Sequence, residues 1–142
     1  MLEGVDWPEQ TLTQLEDDDW GEPTYPSYVV KNSHQLRHKP LREFTAEDLR
    51  FMLGQEISLP ILMPVALDVL EQNPFAAGDM YPGALLNMAL RVDPKFWREY
   101  PRLWSRLNAV AADIDGMVRL LEEELLPAAR AFRAAGPPLD NS

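Results

Sequence analysis

The chain has 142 residues, 46% of them hydrophobic, and a formal net charge of −10, a length and composition that predict one domain over residues 1–142, ordered over about 10–135. With no cysteine, a disulfide framework, thiol catalysis and a thiolate metal site are excluded. The opening MLEGVDWPEQ lacks the basic stretch and apolar run of a signal peptide, and no segment reaches the roughly 20 apolar residues that a membrane crossing needs, so the expected location is the cytoplasm.

Taken in chain order, almost every element has helical spacing. Leu12 and Leu15 predict a short helix capped by Thr11 or Thr13 and ending in the acidic run at 16–19. Gly21, Pro23 and Pro26 then enforce a loop. Ser27 is a candidate N-cap for a helix carrying Tyr28, Val29, Asn32, His34 and Leu36, which Pro40 stops. Thr45-Ala46-Glu47-Asp48 forms a capping signal before Leu49, Met52 and Leu53, predicting a third helix that closes near Gly54.

Residues 58–73 are the most apolar stretch. Ser58 is read as its cap, and Leu62, Ala66, Leu67 and Leu70 as its inward face. Pro60 suits a first helical turn, but Pro64 removes a later donor, so this helix is expected to start kinked or to become regular only near Pro64. Pro82-Gly83 opens a helix with Leu85, Leu86, Ala89 and Leu90, and Asp93-Pro94 starts a short one through Phe96 and Trp97. Leu103, Leu107, Val110, Ile114, Met117, Leu121 and Leu125 recur every three or four residues, the stripe of one long amphipathic helix that Pro127 is expected to kink or break before Gly136-Pro137-Pro138. The β-branched clusters are too short to alternate, so the expected fold is an all-α bundle of about six or seven helices.

A search for chemistry assigns no catalytic residue, no metal ligand and no cofactor. His34 and His38 have the four-residue spacing of a shared metal, but no third ligand is identifiable and Lys31, Arg37 and Lys39 oppose a cation. Ser27, Ser33, Ser58 and Ser105 have no nucleophile elbow around them. Gly54-Gln55 and Gly78-Asp79 read as helix stops and not as a phosphate-cradling loop.

Charge is unevenly distributed. Residues 1–26 carry eight acids and no base, residues 27–43 four bases and one acid, residues 44–90 six acids and one base, and residues 91–142 eight of each. An acidic N-terminal third repels phosphate, which makes nucleic acid and anionic membrane poor partners and a basic protein surface a good one.

The succession QLEDDDWGEPTYPSYVV, HQLRHKPLREFTAEDLRFMLGQEISLPILMPVALDVLEQNP and GDMYPGALLNMALRV resembles the immunity proteins of bacterial contact-dependent growth inhibition (CDI) systems over about residues 11–107. Its most specific parts are Trp20-Gly21-Glu22-Pro23 with Tyr28, Lys39-Pro40-Leu41, Asp48-Leu49-Arg50, the prolines 60 and 64, and Tyr81-Pro82-Gly83; Ala84 stands where an acid is expected, and the tail from Asn108 lies outside the likeness. The resemblance implies a cytoplasmic inhibitor, not itself a catalyst, that binds the C-terminal toxin domain delivered by a neighbouring cell. Many such toxins are nucleases, with the basic surface that holding phosphates requires.

The run EDDDWGEP puts four carboxylates against a tryptophan and a turn. Trp20 can be read as a packing residue and the acids as a solvated helix end. Yet carboxylates at a helix C-terminus oppose the macrodipole by about 0.3–1 kcal/mol each, so acids placed there suit intermolecular work. Asp17, Asp18, Asp19, Trp20 and Glu22 are therefore the expected toxin-binding residues. The alternative is a small acidic helical adaptor or regulatory domain whose same face meets a basic host protein.

Overall fold

The computed structural model describes residues 9–20, 27–77 and 80–138. Among them there is no strand, and the chain is all-α: α1 (Leu12–Glu16), α2 (Tyr28–Arg37), a 3-10 turn (Leu41–Glu43), α3 (Ala46–Gly54), α4 (Leu59–Gln72), α5 (Ala84–Leu90), α6 (Pro94–Glu99), α7 (Pro101–Leu120), a π turn (Leu121–Leu125) and α8 (Leu126–Ala135). Counted as one helix, the last three make the long C-terminal element and bring the total among the described residues to seven.

Most helix starts follow from local capping chemistry. Thr11 caps α1 in a reciprocal box with Gln14, Ser27 accepts from the Val30 N–H, and Thr45 and Asp48 close the box that starts α3. Asp93 accepts from Lys95 at the start of α6, with Pro94 in the first turn. Gly83 precedes α5 at φ 89°, a left-handed conformation that costs a glycine least. The loop at 21–26 and the stop at Gly78 fall outside the described residues.

Contacts divide the chain into two units, residues 1–107 and 108–142. In the first, α3, α4 and α5 pack on one another and supply the core: Leu49, Met52, Leu62, Met63, Ala66, Leu67, Leu70, Leu85 and Ala89 are fully buried. A Cβ on Gly54 would meet the Met88 side chain at 3.2 Å, so the end of α3 lies tight against α5. Arg106 fastens the start of α7 to α4, its Nη2 lying 2.7 Å from Asp68 Oδ1 and 2.5 Å from Glu71 Oε1. The hydrogen bond from Arg106 holds the Glu71 carboxyl below the usual carboxylate range, and the same carboxylate pushes the Arg106 guanidinium further up.

Three details differ from the sequence reading. The helix at 59–72 is helical from Leu59 and carries Pro64 in its interior; the proline forfeits one bond, while the buried face of Leu62, Met63, Ala66, Leu67 and Leu70 holds the helix together. Ser58 stands at the N-cap position but gives no side-chain cap, and its φ of 54° is left-handed. Pro127 does not break the C-terminal helix: the wider π turn ahead of it, in which the Leu126 N–H donates to the Leu121 carbonyl five residues back, absorbs the missing donor and the ring.

In the second unit every described residue from Val118 onward is exposed, including Leu121, Leu125 and Phe132. The sequence stripe is therefore buried at Leu107 and Val110, half-buried at Leu103, Ile114 and Met117, and exposed at Leu121 and Leu125.

Candidate functional site

The acidic run leaves α1 through Asp17, whose φ of 51° and ψ of 48° place it in the left-handed region as the C-cap. Aspartate takes this conformation more readily than most residues, because its short side chain can bond locally. The residues that follow lie against the C-terminal end of α2, and their organising centre is Arg37, the last residue of that helix, only 1% exposed.

A buried guanidinium is costly unless its donors and its charge are met. Nη1 of Arg37 pairs with the Glu16 carboxylate and donates to Ser58 Oγ at 3.1 Å. Nη2 donates to the Asp18 carbonyl at 2.7 Å. The guanidinium carbon sits 4.4 Å from the centroid of the Trp20 ring, a cation–π contact. Ser58 completes the circuit by donating to Glu16 Oε1 at 2.9 Å, which explains why its hydroxyl is not spent on capping α4. Of the three Arg37 guanidinium nitrogens, Nε alone is buried with no acceptor among the described residues. One arginine thus ties together the end of α1, the acidic run and the start of α4.

The expected binding residues are placed as follows. Asp17 and Asp18 are exposed; the Asp18 carboxylate accepts from Trp20 Nε1 at 3.3 Å. Asp19 Oδ1 lies 3.1 Å from His38 Nε2, and the Asp19 side chain remains 64% exposed. Trp20 packs edge-on to His34 with centroids 5.3 Å apart, yet is 38% exposed. Glu22 lies outside the described residues. Asp17, Asp18, Asp19 and Trp20 are therefore one continuous exposed segment on a fixed support, and the electrostatic cost of acids at the end of α1 is offset within the chain by the Arg37 guanidinium.

The two histidines belong to this arrangement. His38 Nδ1 faces the His34 carbonyl oxygen at 2.9 Å while Nε2 faces Asp19. Among the described residues no group of three or more His, Asp or Glu side chains could hold a metal ion.

Sequence reasoning missed Arg37, Glu16 and Ser58 as the support of the segment. The signal present was charge alternation: an acidic stretch followed at once by a basic one, as neighbouring elements that pair would require. It also missed an open groove of about 370 Å³ that begins at Glu16 and Ser58. Glu56, Asp93, Glu99 and Lys95 line it, with Phe96 and Tyr100 stacked 4.8 Å apart.

Fold and site together define an all-α domain that holds an acidic segment and a half-exposed tryptophan on one rigid support. A family model described as CDI immunity proteins matches residues 14–107, and the chain belongs to that family. No curated protein and no solved structure gives a significant match. The family match ends at the residue where the first compact unit ends. Among the described residues no helix is long and apolar enough to cross a membrane.

Proposed function

We propose that this immunity protein neutralises a cognate toxin domain by binding it in the cytoplasm, without catalysis and without engaging nucleic acid or membrane, through Asp17, Asp18, Asp19, Trp20 and Glu22. The observation that carries the reading is the Arg37 clamp. It holds an acidic segment in one conformation while leaving its carboxylates and the edge of Trp20 exposed. A preordered segment loses little freedom on binding, and its negative field steers a basic partner toward it. A nuclease toxin, with its basic phosphate-holding surface, is the class of partner this charge suits. The groove beside Glu16 extends the same acidic surface.

The test is co-expression with the toxin domain encoded beside the gene. The expected result is a one-to-one complex that co-purifies and a cell that survives the toxin. Recovery of the toxin free of this chain, with no protection, overturns the proposal.

A further inference from the structure

Two stretches that the toxin-binding segment does not use, Asp48-Leu49-Arg50 and Tyr81-Pro82-Gly83, meet at a separate cavity between α3 and α5. It holds about 160 Å³, with Arg50, Tyr81, Asn87 and Arg91 as its polar lining and Met80, Ala84 and Met88 as its apolar walls. The Met88 wall is held close by α3, since a Cβ on Gly54 would stand only 3.2 Å from that side chain.

The hydrogen bonds among the polar residues use up acceptors and leave donors. Arg91 Nε donates to Asn87 Oδ1 at 2.9 Å, and Asn87 Nδ2 donates to the Tyr81 hydroxyl oxygen at 2.6 Å. That chain of donation ends at Tyr81, whose own O–H is left to donate. Arg50 Nε donates to both oxygens of Glu47. Among the described residues neither arginine spends Nη1 or Nη2 on an acceptor of the chain. An ionised carboxylate only accepts, and its two oxygens match the fork of a guanidinium. Charge sets the valence: Glu47 balances Arg50, while Arg91 has no carboxylate partner among the described residues, so the cavity is short of one negative charge and not two.

We propose that this cavity binds one carboxylate carried on a short aliphatic stem. The carboxylate accepts from Arg50, Arg91 and Tyr81, and the stem lies along Met80, Ala84 and Met88. A phosphate dianion suits the cavity less, because it brings a second charge and needs donors on the sides that the methionines and the alanine close. The volume is that of a side chain or a small acid, well under the roughly 300–1,000 Å³ of a pocket for larger ligands. The same chemistry can arrive from two sources, a free small organic acid or a glutamate side chain of the toxin domain. Only the second source rests on the toxin reading above.

Butyrate is the probe, added to the isotope-labelled full chain without toxin while the side-chain Nε–H signals of Arg50 and Arg91 are followed by NMR. The expected result is a shift that saturates in the millimolar range, with butyramide, which has the same stem and no charge, leaving the signals in place. Arg91→Gln and Tyr81→Phe, both at exposed positions, are each expected to weaken butyrate binding about tenfold, the effect of losing one charge-assisted hydrogen bond. Toxin binding by the same variants then separates the sources. An affinity that falls about tenfold in Arg91→Gln, with butyrate competing, assigns the carboxylate to the toxin domain; an unchanged affinity assigns it to a free acid, and the proposal stands in either case. The absence of a saturable shift with butyrate overturns it, as does an equal shift with butyramide or a butyrate affinity unchanged in both variants. Because the butyrate titration contains no toxin, its failure is distinct from a failure of the acidic segment to bind one.

Discussion

At the junction of α1 and α2 a guanidinium is almost wholly buried, and a carboxylate, a carbonyl, a hydroxyl and an aromatic face gather around it from within the chain. Along the C-terminal helix the situation is reversed, because leucines and a phenylalanine stand in water. The first region satisfies internally the groups that are most expensive to bury, and what it leaves outside is charge. The second leaves outside the groups that water disfavours. Each region thus presents a different kind of surface: charge in the first and an apolar stripe in the second.

The comparison breaks most easily at Glu16. Replacing it with alanine leaves the Arg37 charge buried without its anion, and the expected loss is about 3 kcal/mol. Urea denaturation measures it, and a loss under about 0.5 kcal/mol would mean that the clamp holds nothing together. Trp20→Ala comes next. It removes the ring over a desolvated guanidinium, so about 2 kcal/mol of stability should go, and toxin affinity should fall further than that loss of stability explains.

A smaller effect sits at the other end of the first unit. Glu71→Gln weakens the tie between α4 and Arg106, by under about 1 kcal/mol because the pair is partly exposed and screened. The sign with pH follows from the lowered Glu71 pKa. The contribution is complete above the ordinary value of 4.5 and is lost as pH falls through the lower folded value. Wild type and variant should therefore converge in acid and separate toward neutrality in thermal melts. The smallest effect belongs to the second region: in dilute solution Leu121→Gln should change stability by no more than about 0.5 kcal/mol, since the side chain is already exposed.

Helix order was legible because caps are local. Thr11, Ser27, Thr45 with Asp48, and Asp93 act within three residues of themselves, and each begins the helix its sequence announces. The clamp was not legible, because Arg37 meets Glu16 across 21 positions and an arginine at the end of a helix reads as a solvated charge. Ser58 was misread for the same reason: a serine ahead of an apolar run looks like a cap until a distant carboxylate claims its hydroxyl. Periodicity likewise found the stripe on the C-terminal helix but cannot say what covers a stripe, since a core face and an exposed one have the same spacing. Pro127 marked a disturbance correctly in place, while its form, a π turn in a continuing helix, depends on backbone geometry that composition does not encode.

The central claim is that the clamped acidic segment is the toxin-facing surface, and association kinetics test it most directly. The quadruple variant Asp17→Asn, Asp18→Asn, Asp19→Asn and Glu22→Gln keeps an acceptor oxygen at each position, so Trp20 retains its hydrogen bond and the helical fold should persist. Measured against the cognate toxin domain over a range of salt concentrations, the wild type should associate more slowly as salt rises. The variant should associate slowly throughout, with little salt dependence and weaker binding. A folded variant that binds at the wild-type rate and affinity at every salt concentration would contradict the account.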